Sequence, residues 1–175
     1  MYFCMKGAAM AQAVAPVIET QLRIGDNVPY FNLFYATREK QGMRDRIGSD
    51  DLKGKRYMIA FHPADWSDVC ARQAREYKEN LKAFKDFGIE VLLVSGDYVF
   101  SRHEWAKALN LPFYMLSDHK HEMGKAFGIY DDLTGFDTRS VFLIGKNGQI
   151  EYLNSKYNAE NDSDFRSLRE AIARG

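Results

Sequence analysis

The residues best suited to chemistry lie in one short stretch, Phe61-His62-Pro63-Ala64-Asp65-Trp66-Ser67-Asp68-Val69-Cys70. A cysteine thiolate is a strong nucleophile, whereas the protonated thiol is a weak one. Cys70 follows Asp65 and Ser67, which are both good N-cap residues, and so is expected in the first turn of a helix. The positive end of the helix dipole favours the thiolate at that place. The stretch therefore predicts a reactive cysteine.

The spacing of apolar residues predicts the helix that carries this cysteine. Four residues follow at intervals of four and three and share one inward stripe with it, namely Ala74, Tyr77, Leu81 and Phe84. Phe87 extends the stripe, and Gly88 is a natural C-terminal stop. We expect one helix up to this glycine, with the stripe in the core.

The helix dipole alone is a weak activator of a thiol. A helix terminus stabilises a nearby charge by roughly 0.3 to 2 kcal/mol, which lowers a cysteine pKa of about 8.5 by about one unit. At neutral pH such a thiol is still only partly ionised. We therefore expect a cation, most simply an arginine, from a distant part of the chain.

The pattern Pro63-x-x-x-Ser67-x-x-Cys70 resembles the active-site signature of the peroxiredoxin (AhpC/TSA) family. His62 before the proline is similar to the one-cysteine branch of that family. The similarity continues from about Arg23 to Tyr152, in segments such as Asp51-Leu52-Lys53-Gly54-Lys55, Leu116-Ser117-Asp118 and Thr138-Arg139-Ser140-Val141. The chain most resembles a short one-cysteine peroxiredoxin, because it lacks the carboxy-terminal segments of the longer members.

The resemblance implies an α/β thioredoxin-like fold and a thiol-dependent peroxidase without cofactor or metal. Cys70 would attack hydrogen peroxide or an organic hydroperoxide and become a sulfenic acid. Ser67 would take the role of the family's threonine, and Pro63 would form a wall of the pocket. Arg139 corresponds to the family's catalytic arginine.

Three further residues are supporting candidates. His62 is either an active-site contact or a packed core histidine. Gln73 stands where the family commonly has glutamate, so it can bond to Arg139 but cannot neutralise it. Trp66 and Trp105 are interpreted as packing residues, although Trp66 lies beside the pocket and could shape substrate access.

Cys4 is the second of two cysteines, and no C-x-x-C motif is present. An extended arm of about sixteen residues can reach some 50 Å, so Cys4 could resolve the sulfenic acid. Ordering such an arm costs entropy. We instead expect an external thiol, or a thioredoxin- or glutaredoxin-like protein, as the reductant.

Charge and composition bear on partners and location. Lysine plus arginine equal aspartate plus glutamate at 24 each, which argues against nucleic acid or a membrane as partner. The run from His119 to Glu122 reads as a solvated first helical turn rather than a metal site. The cysteine usage favours a reducing compartment, so we expect a cytoplasmic protein, and the resemblance suggests a homodimer or larger homo-oligomer.

The chain divides into an arm and one domain. Residues 1–21 are predicted to be flexible or packed in a dimer, and residues 22–175 to form a single domain. Ala13-Val14-Ala15 mimics a signal-peptidase site, but no convincing apolar run precedes it, and we expect no export.

Periodicity predicts alternating strands and helices. Predicted strands are Arg56–Phe61, Ile89–Val94 and a hairpin of Val141–Ile144 with Ile150–Leu153, and predicted helices are Ser101–Asn110, His119–Phe127 and Ser163–Arg174. An extended segment at 27–34 and a charged connection at 36–50 precede them. The order predicts a mixed central sheet flanked by helices.

Two other functions fit the same residues. A peroxide sensor or redox-relay protein would be oxidised at Cys70 and pass the oxidation to a partner with little turnover. A structural oligomer or holdase would carry an inert Cys70.

Overall fold

The computed structural model describes residues 20–175. The predictions for residues 1–19, including the one for Cys4, lie outside the described residues. The elements are β1 (Asn32–Ala36), β2 (Arg46–Gly48), β3 (Arg56–Phe61), α1 (Asp68–Glu79), α2 (Leu81–Asp86), β4 (Ile89–Ser95), α3 (Val99–Leu109), β5 (Tyr114–Ser117), α4 (Glu122–Ala126), β6 (Tyr130–Asp131), β7 (Phe136–Asp137), β8 (Ser140–Ile144), β9 (Ile150–Asn154) and α5 (Asp162–Arg174).

The central sheet has seven strands in the order β2-β1-β5-β4-β3-β8-β9. Strands β3, β4 and β5 are parallel, and every other neighbouring pair is antiparallel. The predicted mixed sheet is therefore confirmed. Strand β3, which leads to the cysteine, lies between β4 and β8 and is buried along its whole length.

Two apolar layers cover the sheet, because alternate strand residues point to opposite faces. Met58 and Ala60 of β3 pack in one layer with apolar residues of α1, α2, α3 and α5. Ile59 and Phe61 pack in the other with residues of α4 such as Met123. Within residues 20–175 no helix combines the length and apolar character needed to cross a membrane.

The prediction of one long helix after Cys70 is wrong. Helix α1 ends at Glu79, and α2 begins at Leu81 after a cap at Asn80, whose side-chain amide donates to the Glu76 carbonyl at 2.9 Å. An asparagine that bonds its own preceding turn competes with the helical ladder. Phe87 caps α2 and is 47% exposed, so its prediction as a core residue is also wrong.

The predicted helix at His119–Phe127 is shorter than expected. Helix α4 begins at Glu122, because His121 adopts a left-handed conformation with φ of +54°. The short strands β5, β6 and β7 were not predicted. Gly88 and Gly128 do end helical segments, with φ of +67° and +66°.

Candidate active site

Cys70 lies in the first turn of α1, just after the loop that leaves β3. Ser67 is the N-cap residue, and its Oγ accepts a hydrogen bond from the Cys70 N–H at 3.3 Å. Cys70 is only 2% exposed. The sulfur therefore lies at the positive end of the helix, where unpaired backbone N–H groups favour a negative charge.

The register of the sheet brings Arg139 to the sulfur. Strand β8 runs antiparallel to β3 with Ser140 opposite Phe61, so Arg139 lies beside the start of the active-site loop. The Nη2 of Arg139 donates to Cys70 Sγ at 3.1 Å. Its carbonyl oxygen accepts from the Tyr157 N–H at 3.0 Å, which fixes the backbone. The cysteine and the arginine are thus in direct contact.

Gln73 holds the other side of the same guanidinium. Its Oε1 accepts from Arg139 Nη1, and its Nε2 donates to Tyr77 Oη at 2.9 Å. Gln73 is 2% exposed, and burial raises the pKa of Tyr77, which keeps the phenol neutral. Because the amide carries no charge, the positive charge of Arg139 is left for the sulfur.

His62 bonds to Asp65, and no hydrogen bond joins it to Cys70 in the described part of the chain. Its Nε2 is 2.8 Å from Asp65 Oδ1. Burial is the largest influence on the pKa of His62 and lowers it. The bond to Asp65 acts in the opposite direction, while Arg102 and Arg139 reinforce the lowering. The imidazole is therefore neutral at neutral pH.

The direction of the His62 proton follows from the charge of Asp65. Burial acts to raise the pKa of Asp65, but Arg102 and His62 outweigh burial, so the pKa lies below its ordinary value. An ionised carboxylate only accepts hydrogen bonds, so His62 Nε2 is the donor. In this geometry its proton is directed to Asp65 rather than to the sulfur.

Arg102 was missed at the level of sequence. It lies on α3, is fully buried, and its Nη1 donates to Asp65 Oδ1 at 2.8 Å. Burial lowers the pKa of Arg102, and Asp65 opposes this, so the guanidinium stays charged. The available signal was its spacing, because Arg102 shares a helix face with Val99, Trp105 and Ala106, which are all buried.

The two remaining predicted residues line the loop. Trp66 is 57% exposed, has a φ of +68°, and donates from Nε1 to Ser101 Oγ at 3.0 Å. Its prediction as a packing residue is therefore wrong, whereas Trp105 is buried. Pro63 is half-buried and follows His62, whose N–H donates to the Val94 carbonyl at 3.0 Å.

The segment from His119 to Glu122 is mostly solvent-exposed, as predicted, but it forms a turn that leads into α4 rather than the first turn of the helix. His119 stacks on Tyr98, and His121 Nδ1 is 3.1 Å from the buried Asp137 Oδ1. Between residues 20 and 175, no three or more histidine, cysteine, aspartate or glutamate side chains are arranged to hold a metal ion.

Comparison with known proteins finds relatives that are named as peroxiredoxins or alkyl hydroperoxide reductases. Peroxiredoxin Q, chloroplastic, of Oryza sativa subsp. japonica is 32% identical over 138 residues, which cover 78% of this chain and 61% of the relative. Alkyl hydroperoxide reductase C of Bacillus subtilis is 31% identical over 120 residues, covering 67% of this chain and 65% of the relative. The chain thus spans less than two thirds of the length of these relatives.

Solved structures support the fold. A cysteine-to-serine mutant of Xylella fastidiosa PrxQ matches with a TM-score of 0.77 and 20% identity, over 89% of this chain and 99% of the other. The predicted thioredoxin-like fold of the peroxiredoxin type is confirmed. The model of the AhpC/TSA family matches residues 24–153, which include Cys70, Arg139 and Arg102. The chain belongs to the AhpC/TSA family of peroxiredoxins.

Proposed function

We propose that this protein is a thiol-dependent peroxidase whose nucleophile is Cys70. The observation that carries the proposal is the guanidinium of Arg139, 3.1 Å from the sulfur of a cysteine at the start of a helix. A buried cysteine without reactivity needs neither the cation nor the helix terminus. The name of the Bacillus subtilis relative, an alkyl hydroperoxide reductase, supports a hydroperoxide as the substrate class.

The chemical step is a displacement at oxygen. The Cys70 thiolate attacks one oxygen of the hydroperoxide, an S–O bond forms, and the O–O bond breaks. The sulfur is oxidised to sulfenic acid, and the other oxygen leaves as alkoxide or hydroxide. A proton taken up by this leaving group gives an alcohol or water.

Arg139 has a defined role in this step. Negative charge moves from the sulfur to the leaving oxygen, and a guanidinium presents several N–H donors in one plane. One nitrogen of Arg139 is already bonded to Cys70 Sγ. The same group can stabilise both ends of the moving charge without reorganising, which is electrostatic stabilisation of the transition state.

Ser67 and Pro63 complete the pocket. Ser67 Oγ accepts from the Cys70 N–H, so its own hydroxyl proton is free to bond an oxygen of the substrate. Pro63 has no N–H and therefore cannot compete for the thiolate. These two residues orient the peroxide, and Arg139 stabilises the charge.

An external thiol returns the enzyme to its reduced form in this proposal. Cys70 is the free cysteine of the described residues. A thiol attacks the sulfenic acid, water leaves, and a mixed disulfide forms, and a second thiol then releases Cys70. A one-cysteine cycle follows if Cys4 takes no part.

Single-turnover kinetics test the proposal. We expect rapid loss of one equivalent of hydrogen peroxide in wild type and in Cys4→Ser, and none above background in Cys70→Ser. Mass spectrometry of the first two proteins should show one added oxygen on Cys70. Peroxide loss in Cys70→Ser as fast as in wild type would overturn the proposal, and a bond between Cys4 and Cys70 would replace the one-cysteine cycle.

A matched pair of arginine variants tests the role of Arg139. Arg139→Met should slow peroxide reduction by about a hundredfold or more, as is usual when a stabilising donor is removed. Arg56→Met removes a buried arginine that is bonded to Glu151 at 2.7 Å at the far end of β3, and should leave the rate unchanged. Equal effects of the two variants would contradict the role given to Arg139.

A further inference from the structure

A fully buried guanidinium lies beneath the active-site loop. Arg102 is on α3 and donates to Asp65 Oδ1, to Ser95 Oγ and to the Leu93 carbonyl. Removing an arginine from water is costly unless its charge is paired and its donors are bonded. This arginine is held by the end of β4 on one side and by the loop carboxylate on the other.

Arg102 is hydrogen-bonded to Asp65, but each of the two side chains keeps a buried atom without a hydrogen-bond partner in the described part of the chain. Asp65 Oδ2 and Arg102 Nε are both buried and have no hydrogen-bond partner within the described residues. A purely structural ion pair gains most when every donor and acceptor is satisfied. This pair retains two unsatisfied atoms directly below the loop, so stability alone is a weak reason for it.

Three anchors of the loop converge on one segment. The Asp65 N–H donates to Asp97 Oδ2 at 2.7 Å, and Trp66 Nε1 donates to Ser101 Oγ at 3.0 Å. With Arg102 on the Asp65 side chain, three bonds tie the loop to residues 97–102. The loop continues directly into Ser67, the cap of the helix that holds Cys70.

We propose that Arg102 is a positioning residue for Cys70, which acts through Asp65 by holding the loop in the conformation that caps α1 and faces the sulfur toward Arg139. This inference deepens the proposed function and rests on it for its kinetic consequence. Within the described residues Arg102 makes no hydrogen bond to Cys70, so it is not assigned to the chemistry itself.

The charges around Arg102 favour a positional role over a direct electrostatic one. Its positive charge does interact with Cys70, but Asp65 and Asp97 interact with it more strongly. Two carboxylates near one guanidinium cancel its field at a distance. The effect of Arg102 on the sulfur must therefore pass mainly through the loop.

A double-mutant cycle of Arg102→Met and Asp65→Asn tests this route. Each variant should slow single-turnover peroxide reduction by about tenfold to a hundredfold, the usual cost of a misplaced reacting group. If Arg102 acts through Asp65, the double variant should be no slower than the slower single variant. Multiplied losses in the double variant would overturn the proposal.

Arg56→Met is the matched control for a lost buried arginine. It should lower the thermal midpoint comparably and leave the peroxide rate within about twofold of wild type. Rates are compared below the unfolding transition of each protein. An equal slowing by Arg56→Met would show that lost stability alone explains the result and would refute the positional role.

A second readout does not require peroxidase activity. In a Cys4→Ser background, the pH dependence of Cys70 alkylation by iodoacetamide reports the surroundings of the sulfur. Arg102→Met should move its midpoint upward by about one pH unit, because the released loop no longer holds the sulfur against Arg139. An unchanged midpoint would refute the inference even if wild type reduced no peroxide.

Arg102→Lys is the alternative test variant if Arg102→Met does not fold. One ammonium group cannot reach Asp65, Ser95 and Leu93 together, as the planar guanidinium does. We expect the lysine variant to lose at least threefold in rate despite its preserved charge. Full activity in Arg102→Lys would show that a positive charge at position 102 is enough, without the several hydrogen bonds of the guanidinium. That result would contradict the proposed positioning role.

Discussion

Gln73→Glu is the most informative single change at this site, because it alters one charge and almost no shape. The amide oxygen of Gln73 accepts from Arg139 Nη1, and Arg139 Nη2 donates to Cys70 Sγ. The guanidinium therefore bridges position 73 and the sulfur. A glutamate would place a second negative charge on the opposite side of the same cation.

The magnitude follows from this bridge. A carboxylate oxygen there would lie roughly 5 Å from Sγ, and two negative charges at that separation repel by about 3 kcal/mol at an effective dielectric constant near 20. A hydrogen bond from the Tyr77 hydroxyl to the new carboxylate would reduce this repulsion. Since one pH unit corresponds to about 1.4 kcal/mol, we expect thiolate formation to move upward by about one to two pH units.

The assay is alkylation of Cys70 by iodoacetamide across a pH series, in a Cys4→Ser background. Gln73→Met is the matched control, because it removes both hydrogen bonds of the amide and adds no charge. We expect the midpoint to move further in Gln73→Glu than in Gln73→Met, and peroxide reduction at neutral pH to fall accordingly. An unmoved midpoint in Gln73→Glu would refute the claim that Arg139 stabilises the thiolate by its charge.

Three further predictions concern capping, protonation and packing. Ser67→Ala should cost about 1 kcal/mol in urea unfolding and slow peroxide reduction, whereas Asn161→Ala, which uncaps α5, should cost a similar amount with no change in rate. A rate loss shared by both caps would contradict a role for Ser67. Burial raises the pKa of Asp137 to about 6, although His121 opposes this, so the folded state loses stability as pH rises from about 4 to about 6. Asp137→Asn should therefore stabilise the protein by about 1 to 2 kcal/mol at neutral pH and not at about pH 4, and an equal gain at both would argue against a protonated Asp137. Gly124→Ala would place a Cβ 1.9 Å from Asp137 Oδ1 and should destabilise by about 1 to 3 kcal/mol, which a thermal melt with an unchanged midpoint would disprove.

Local patterns predicted much of the fold and part of the site. The strand Arg56–Phe61 is confirmed to the residue, and the N-cap at Ser67 is confirmed by its bond to Cys70. Both depend on neighbours in sequence, which a single chain displays directly. The role of Arg139 came from the family resemblance, because nothing local distinguishes it from a surface arginine.

Tertiary contacts explain what the sequence did not predict. Asn80 interrupts the helix where the apolar stripe continues, since a side-chain bond there outweighs periodicity. Arg102 was missed because a charged residue near a helix start normally faces water, and only the packed structure shows the carboxylate that compensates its charge. Trp66 lies in the active-site loop and is exposed, and its indole is held at the surface by a hydrogen bond to Ser101 of α3.

The pairing of β8 with β3 makes the active site vulnerable to small changes in chain length. A strand shifted by one residue turns each side chain to the opposite face, and Arg139 directly precedes the paired residue Ser140. A single amino acid inserted between Arg139 and the middle of β8 would thus move the guanidinium away from Cys70 Sγ. The sulfur would lose its cation although every reactive residue is still in the chain. The number of residues between Arg139 and the ladder that pairs β8 with β3 is therefore as much a part of the active site as the side chains themselves.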